Sequence, residues 1–186
     1  MSTTQNPWTV LSNKLEYENP WIAVTEYQVL NPSGGKGIYG KVHFKNIAVG
    51  VLPIDASLNT WLVGQYRFVL NQYSWEMPEG GGTMDTDPLD SAKRELLEET
   101  GLVAANWQPL LTMHLSNSVS DELAIIFLAR ELRQETASPE ETEQLAIRKL
   151  HFDEVYTMVQ KGEITDSMTV AAVLKFKLML LDGQIS

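Results

Sequence analysis

Three glutamates, Glu95, Glu98 and Glu99, stand between Arg94 and Gly101. On a helix Glu95 and Glu99 are one turn apart on the same face, with Glu98 beside them. Like charges so placed repel by roughly 0.2–0.5 kcal/mol per pair. The last turn of a helix also disfavours negative charge, because the dipole is negative there. A hard divalent cation relieves both penalties, and carboxylate oxygens with water are the ligands that Mg²⁺ prefers. The plain alternative is a solvated acidic face with Arg94 paired to Glu98. Just upstream lies Glu79-Gly80-Gly81-Gly82, a glycine loop that lets backbone approach a ligand closely.

These residues need elements to hold them. Asp87 is suited to cap a helix and Pro88 to open it, which predicts a helix from Pro88 to about Thr100 closed by Gly101. Upstream the chain reads as strands. Trp21 to Leu30 and Ile38 to Phe44 flank the turn cluster Asn31-Pro32-Ser33-Gly34-Gly35, so a hairpin is expected. Ile47 to Ile54, Trp61 to Phe68 and Tyr73 to Met77 follow as short apolar runs. Trp107 to Leu115 and Leu123 to Leu132 read as two further strands, before an acidic stretch at 134–143. Asp153 is expected to cap a helix ending at Gly162, and a last helix should run from about Asp166 to Leu181. Strands, a helix, more strands and then helices point to an α/β fold with a mixed sheet and helices on its faces.

Composition narrows the chemistry. The chain has 186 residues, enough for one domain with a small appendage. It has no cysteine, which excludes thiol nucleophiles, disulfides and thiolate metal sites. Acidic residues outnumber basic ones 24 to 14, for a net charge of −10. That disfavours nucleic acid and anionic membranes as partners, while a phosphorylated small molecule is compatible if a cation screens it. No apolar run reaches the ~18 residues of a membrane span. Met1 to Asn6 lacks the apolar core of a signal peptide, so the cytoplasm is the expected compartment. His43, His114 and His151 are scattered without metal-ligand spacing and read as structural.

Gly80 through Leu102 resembles the Nudix box, G-x5-E-x7-R-E-U-x-E-E-x-G-U with U apolar. Gly80, Arg94-Glu95-Leu96, Glu98-Glu99 and Gly101-Leu102 match it, and Thr86 stands where the early glutamate falls. Gln65-Tyr66-Arg67 and Trp75-Glu76-Met77-Pro78 resemble segments of ADP-ribose pyrophosphatases and nucleoside-diphosphate-sugar hydrolases. Ser116 to Glu122 is similar to their S-P-G-x-S-x-E loop, without its proline. The resemblance implies a Nudix-type α/β/α sandwich over residues 46–186, and an N-terminal strand region over 1–45 that joins two copies in a homodimer. It implies hydrolysis of the pyrophosphate of a nucleoside diphosphate sugar, such as ADP-ribose or GDP-mannose, to a nucleoside monophosphate and a sugar phosphate. Mg²⁺ is the expected cofactor, with Mn²⁺ as a substitute. Another nucleoside diphosphate substrate, NADH or a dinucleoside polyphosphate, is an alternative, as is a nucleotide-sensing domain that does not hydrolyse.

The same resemblance distributes the roles. Glu95, Glu98 and Glu99 are the expected metal ligands, joined by the backbone carbonyl of Glu79, the residue just before the first glycine. Arg94 and Glu98 fall among the catalytic residues. In this subfamily the general base comes from a loop after the last strands, which places it on Glu141, with Glu143 second. Arg67 can clamp phosphate or stack on a base. Glu76 either binds substrate or orders the glycine loop, and Glu122 is a candidate for sugar or metal-water contact. Trp21, Tyr27 or another N-terminal aromatic is available to stack on the base.

Overall fold

A computed structural model describes residues 5–135 and 145–185. The chain forms two compact units, one of Met1–Asn46 with His114–Glu122 and one of Ile47–Met113 with Leu123–Ser186.

The first unit is an antiparallel meander of β1 (Thr9–Glu18), β2 (Ile22–Leu30) and β3 (Lys36–Phe44). Asparagine side chains set both turns. Asn19 Oδ1 accepts the N–H groups of Trp21 and Ile22, and Asn31 Oδ1 accepts those of Ser33 and Gly35. Tyr27 pairs with Tyr39 across the second hairpin. The segment 116–121 lies along β3: Val42 N–H donates to Val119, and Asp121 N–H donates to Val42. Asp121 locks it there by accepting from Phe44 N–H at 2.9 Å and pairing with Lys41 and His43, each at 2.8 Å. Against burial, which would raise it, these partners hold the Asp121 carboxyl well below the usual range.

The second unit contains β4 (Asn46–Pro53) but for its first residue, then β5 (Asn59–Arg67), β6 (Gln72–Glu76), β7 (Glu79–Thr83), α1 (Pro88–Thr100), β8 (Leu102–His114) but for its last residue, β9 (Leu123–Gln134), β10 (Ala146–His151), α2 (Phe152–Gln160) and α3 (Ser167–Leu181). One sheet has the order β7-β4-β9-β8, and a second has β10-β5-β6. β4 and β9 run parallel, Ala48 opposite Ala124 through Pro53 opposite Ala129. Parallel strands are covered on both faces, which is why both read as nearly unbroken apolar runs. Val49, Val51, Leu96, Phe127 and Ala129 meet in the core between this sheet and α1. Phe152 and Phe176 stack edge-on between α2 and α3, with centroids 4.8 Å apart.

Two expectations are corrected. Glu79 to Gly82 is not a loop but the strand β7, and none of its glycines has a positive φ. They serve close packing: a Cβ on Gly82 would lie 2.8 Å from Ser91 Oγ and 3.2 Å from Ile47. α2 is capped not by Asp153 but by His151, whose Nδ1 accepts the Asp153 N–H at 3.3 Å. Asp153 sits inside the first turn, ion-paired to Lys177 at 2.9 Å.

A tight crossing marks the second sheet. Trp75 is the cross-strand neighbour of Gly64, and a Cβ there would lie 2.6 Å from the indole. Arg148 of β10 covers that indole, with its guanidinium carbon 4.1 Å from the ring centroid.

Candidate active site

α1 starts as the sequence predicts. Asp87 accepts the Leu89 N–H at 2.9 Å, Pro88 opens the first turn, and Gly101 closes the helix at φ 69°. Its inner face buries Ser91, Ala92, Leu96 and Thr100, and with them Glu95 and Glu99. The three glutamates are therefore not one solvated face. Glu95 and Glu99 are 9% and 2% exposed, while Glu98 stays partly open. Burying carboxylates is costly without donors or cations nearby.

Arg94 supplies part of that compensation. Its guanidinium reaches Glu95 Oε1 and Glu98 Oε2, and donates to the Gly81 carbonyl at 2.8 Å. One arginine thus ties two of the three glutamates to β7. Gly80 makes room for this: a Cβ there would come within 2.3 Å of the Glu95 carboxyl group. Glu79 N–H donates to Glu99 Oε2 at 2.9 Å, so backbone from β7 also reaches the third glutamate.

A second carboxylate group adjoins through Glu79. The expected substrate clamp Arg67 turns inward. Its Nε donates to both oxygens of Glu76 at 3.0 Å, and its Nη2 bonds Glu76 and reaches Glu79 Oε1 at 3.1 Å. The Glu76 side chain is 4% exposed. Burial would lower the Arg67 pKa, but Glu76 and Glu79 raise it, so it stays charged. Asp166, the N-cap of α3, completes the group: ligand oxygens of Glu76, Glu79 and Asp166 lie within 4.8 Å of one another. Burial, then the carboxylates of Asp166 and Glu76, push Glu79 well above the usual range, and Arg67 only partly opposes them. Glu79 Oε2 is buried with no hydrogen-bond partner among the described residues.

The donor set fits a hard divalent cation. It is made of carboxylate and carbonyl oxygens, the ligands such ions prefer, and lacks thiolates altogether. The glycine at 80 leaves the Glu95 carboxyl a place against the backbone, and one buried oxygen of Glu79 has no hydrogen-bond partner among the described residues, a polar atom that a cation or its water can satisfy.

Arg94, Glu95, Glu98, Glu99, Glu79, Glu76 and Arg67 are thus brought together in the second unit. Glu122 belongs to the first unit, where burial raises its carboxyl. Glu141 and Glu143 lie outside the described residues. Asp166 was not among the residues expected at the site. The sequence marks it as a helix cap, and only the fold sets it beside Glu76 and Glu79.

Comparison with known proteins accords with this geometry. Residues 44–171 match the family described as the NUDIX domain. The ADP-ribose pyrophosphatase of Mycobacterium tuberculosis (strain ATCC 25618 / H37Rv) is 31% identical over 175 residues, covering 91% of this chain and 83% of that protein. The methanol dehydrogenase activator of Bacillus methanolicus is 32% identical over 128 residues, or 68% of this chain and 69% of that one. A crystal structure of ADP compounds hydrolase superposes with a TM-score of 0.86 over 98% of both chains at 20% identity, a likeness of fold.

Proposed function

The chain belongs to the NUDIX domain family, and on that premise we propose that it hydrolyses the pyrophosphate bond of nucleoside diphosphate sugars, ADP-ribose or GDP-mannose among them. Water attacks one phosphorus, the P–O–P bridge opens, and a nucleoside monophosphate and a sugar phosphate leave. The observation that carries this reading is the buried Glu95–Glu99 pair, held against β7 by Gly80 and the Glu79 N–H. Buried carboxylates with no apolar purpose mark a site for cationic chemistry. Relatives named ADP-ribose pyrophosphatases, from Mycobacterium tuberculosis and Bacillus subtilis (strain 168), support the substrate class.

Glu95, Glu98, Glu99 and the Glu79 carbonyl would hold the cation, with Mg²⁺ the assigned ion and Mn²⁺ a substitute. When bound, it supplies neutralisation of phosphate oxygens and a lowered pKa for the attacking water. The chain's own groups do the rest. Arg94 fixes the carboxylates of Glu95 and Glu98 in place. Arg67 pairs with the buried Glu76 and orders the start of β7, and the exposed part of Arg67 is left to meet substrate phosphate. Glu141, with Glu143 second, takes the proton of the attacking water, since a carboxylate of ordinary pKa near 4.3 is ionised at neutral pH. Glu122 is assigned a sugar contact.

An aromatic of residues 1–45, Tyr27 among them, is assigned to stack on the base. Within the first unit a cavity of about 360 Å³ is lined by Trp8, Tyr27, Tyr39, Lys41, Asn117 and Ser118, among others. Its aromatic walls and few polar groups suit a flat heterocycle. Trp21 is 65% exposed and does not line it. We also assign strands of residues 1–45 to a homodimer interface, because every residue of β1 is exposed in the single chain.

The test is phosphate release in Mg²⁺ with a coupled phosphatase. ADP-ribose, GDP-mannose, UDP-glucose, NADH and diadenosine polyphosphates are offered side by side. Preferential cleavage of nucleotide sugars is expected. Turnover confined to NADH or diadenosine polyphosphates overturns the substrate class, and nucleotide binding without any turnover overturns catalysis.

A further inference from the structure

Met77, Pro78 and Glu79 are each fastened by a different element of the second unit. Met77 N–H donates to Thr169 Oγ1 of α3 at 2.9 Å. The Pro78 carbonyl accepts from Val51 N–H of β4 at 2.8 Å. Glu79 N–H donates to Glu99 Oε2 of α1 at 2.9 Å. The first of these bonds is fully internal, with Met77 1% and Thr169 0% exposed. Water therefore has no access to replace the hydroxyl, and its loss would orphan a buried N–H.

Thr169 is also unlike the other helix threonines described here by their hydroxyl bonds. Thr100 and Thr157 donate back to the carbonyls of Leu96 and Asp153 on their own helices, the usual habit of a helical threonine. Thr169 accepts from Met77, 92 positions away in the chain, whereas the N–H that Thr100 accepts is that of Leu102, two residues on. It sits in the first turn of α3, where its own N–H is satisfied by Asp166 Oδ2 at 2.7 Å.

We propose that Thr169 is a positioning residue of the active site: by holding Met77 it sets the Glu79 N–H and so the orientation of the Glu99 carboxylate toward a divalent cation. Pro78 transmits the constraint, being short, stiff in φ and itself pinned by Val51. The inference rests on the reading of Glu99 as a cation ligand.

The test uses the full chain, with Mn²⁺ as the probe followed by titration calorimetry, and steady-state kinetics on the best nucleotide sugar beside it. Thr169→Val keeps the shape and removes the acceptor. It is expected to weaken Mn²⁺ binding by about tenfold and to lower kcat at saturating metal with KM unchanged. Thr169→Ser restores the acceptor and should recover most of both losses. A folded Thr169→Val with Mn²⁺ affinity and kcat within about twofold of wild type overturns the proposal, as does a Ser variant as damaged as the Val variant. Should Thr169→Val fail to fold, amide exchange on the wild type decides: Mn²⁺ saturation is replaced by Mg²⁺, and Met77 and Glu79 should gain protection together. Protection at Glu79 alone overturns it. A wild type that binds Mn²⁺ but cleaves no nucleotide sugar defeats only the substrate reading, and the Mn²⁺ titrations of the two variants still decide the role of Thr169. A wild type that binds no Mn²⁺ overturns both.

Discussion

Glu79 joins the two halves of the site by using its two ends differently. Its backbone N–H serves Glu99, while its side chain is packed beside Asp166, Glu76 and Arg67. A carboxyl whose pKa is raised by burial and neighbouring carboxylates binds its proton more tightly in the fold than in the unfolded chain. The sign follows from linkage. The contribution to stability is full below the unfolded value of about 4.3 and is lost as the pH rises toward the raised folded value. In EDTA, Glu79→Gln should therefore melt with wild type near pH 4 and above it near pH 8, read by circular dichroism. Equal melting temperatures at both pH values would remove the idea that the fold raises the pKa of Glu79. Arg67 shows what a residue type leaves open when read alone: an arginine at a strand end suits a phosphate, and its guanidinium also bonds Glu76 and Glu79.

At the scale of elements, α1 is the part whose failure would cost most, since one helix carries Arg94, Glu95, Glu98 and Glu99. Its N-cap is a single side-chain bond from Asp87 to the Leu89 N–H. Asp87→Ala should cost about 1 kcal/mol of stability by chemical denaturation. Turnover at saturating Mg²⁺ should fall far less than for a change at a glutamate. An unchanged midpoint would show that the cap does not hold the helix start. This helix was legible in the sequence to both ends, because Asp87, Pro88 and Gly101 are local signals with local causes. β7 was not, because glycines advertise turns, and the reason they are needed at 80 and 82 is the nearness of Glu95 and Ser91 from another element. β1 was equally hidden: all its positions are exposed, so burial imposed no alternation to read. The His151 cap escaped for a smaller reason, since an imidazole acceptor competes with the more familiar Asp153 two residues on.

On the scale of the whole molecule, charge and exposed apolar surface pull in different directions. A net charge of −10 keeps copies apart, yet Val10, Leu11, Leu15 and Tyr17 of β1 are each more than half exposed. Covering them with a second copy resolves this. Sedimentation equilibrium at micromolar concentration should give a dimer, and Leu11→Glu with Leu15→Glu should shift it to monomer. A wild type that sediments as a monomer removes the interface. Among the described residues no helix is long and apolar enough to cross a membrane.

Trp75 lies across Gly64 and beneath Arg148, so three strands of one sheet meet at a single indole. That arrangement gives the sheet a direction in sequence space. While the indole is in place, position 64 is closed to every side chain, alanine included. A lineage must move both Tyr73, whose Oη would lie 2.4 Å from a Cβ at 64, and the indole at 75 to open position 64, and it then gives up the stacking of Arg148. Drift at 64 is contingent on permissive changes at 73 and 75, and the reverse order is blocked.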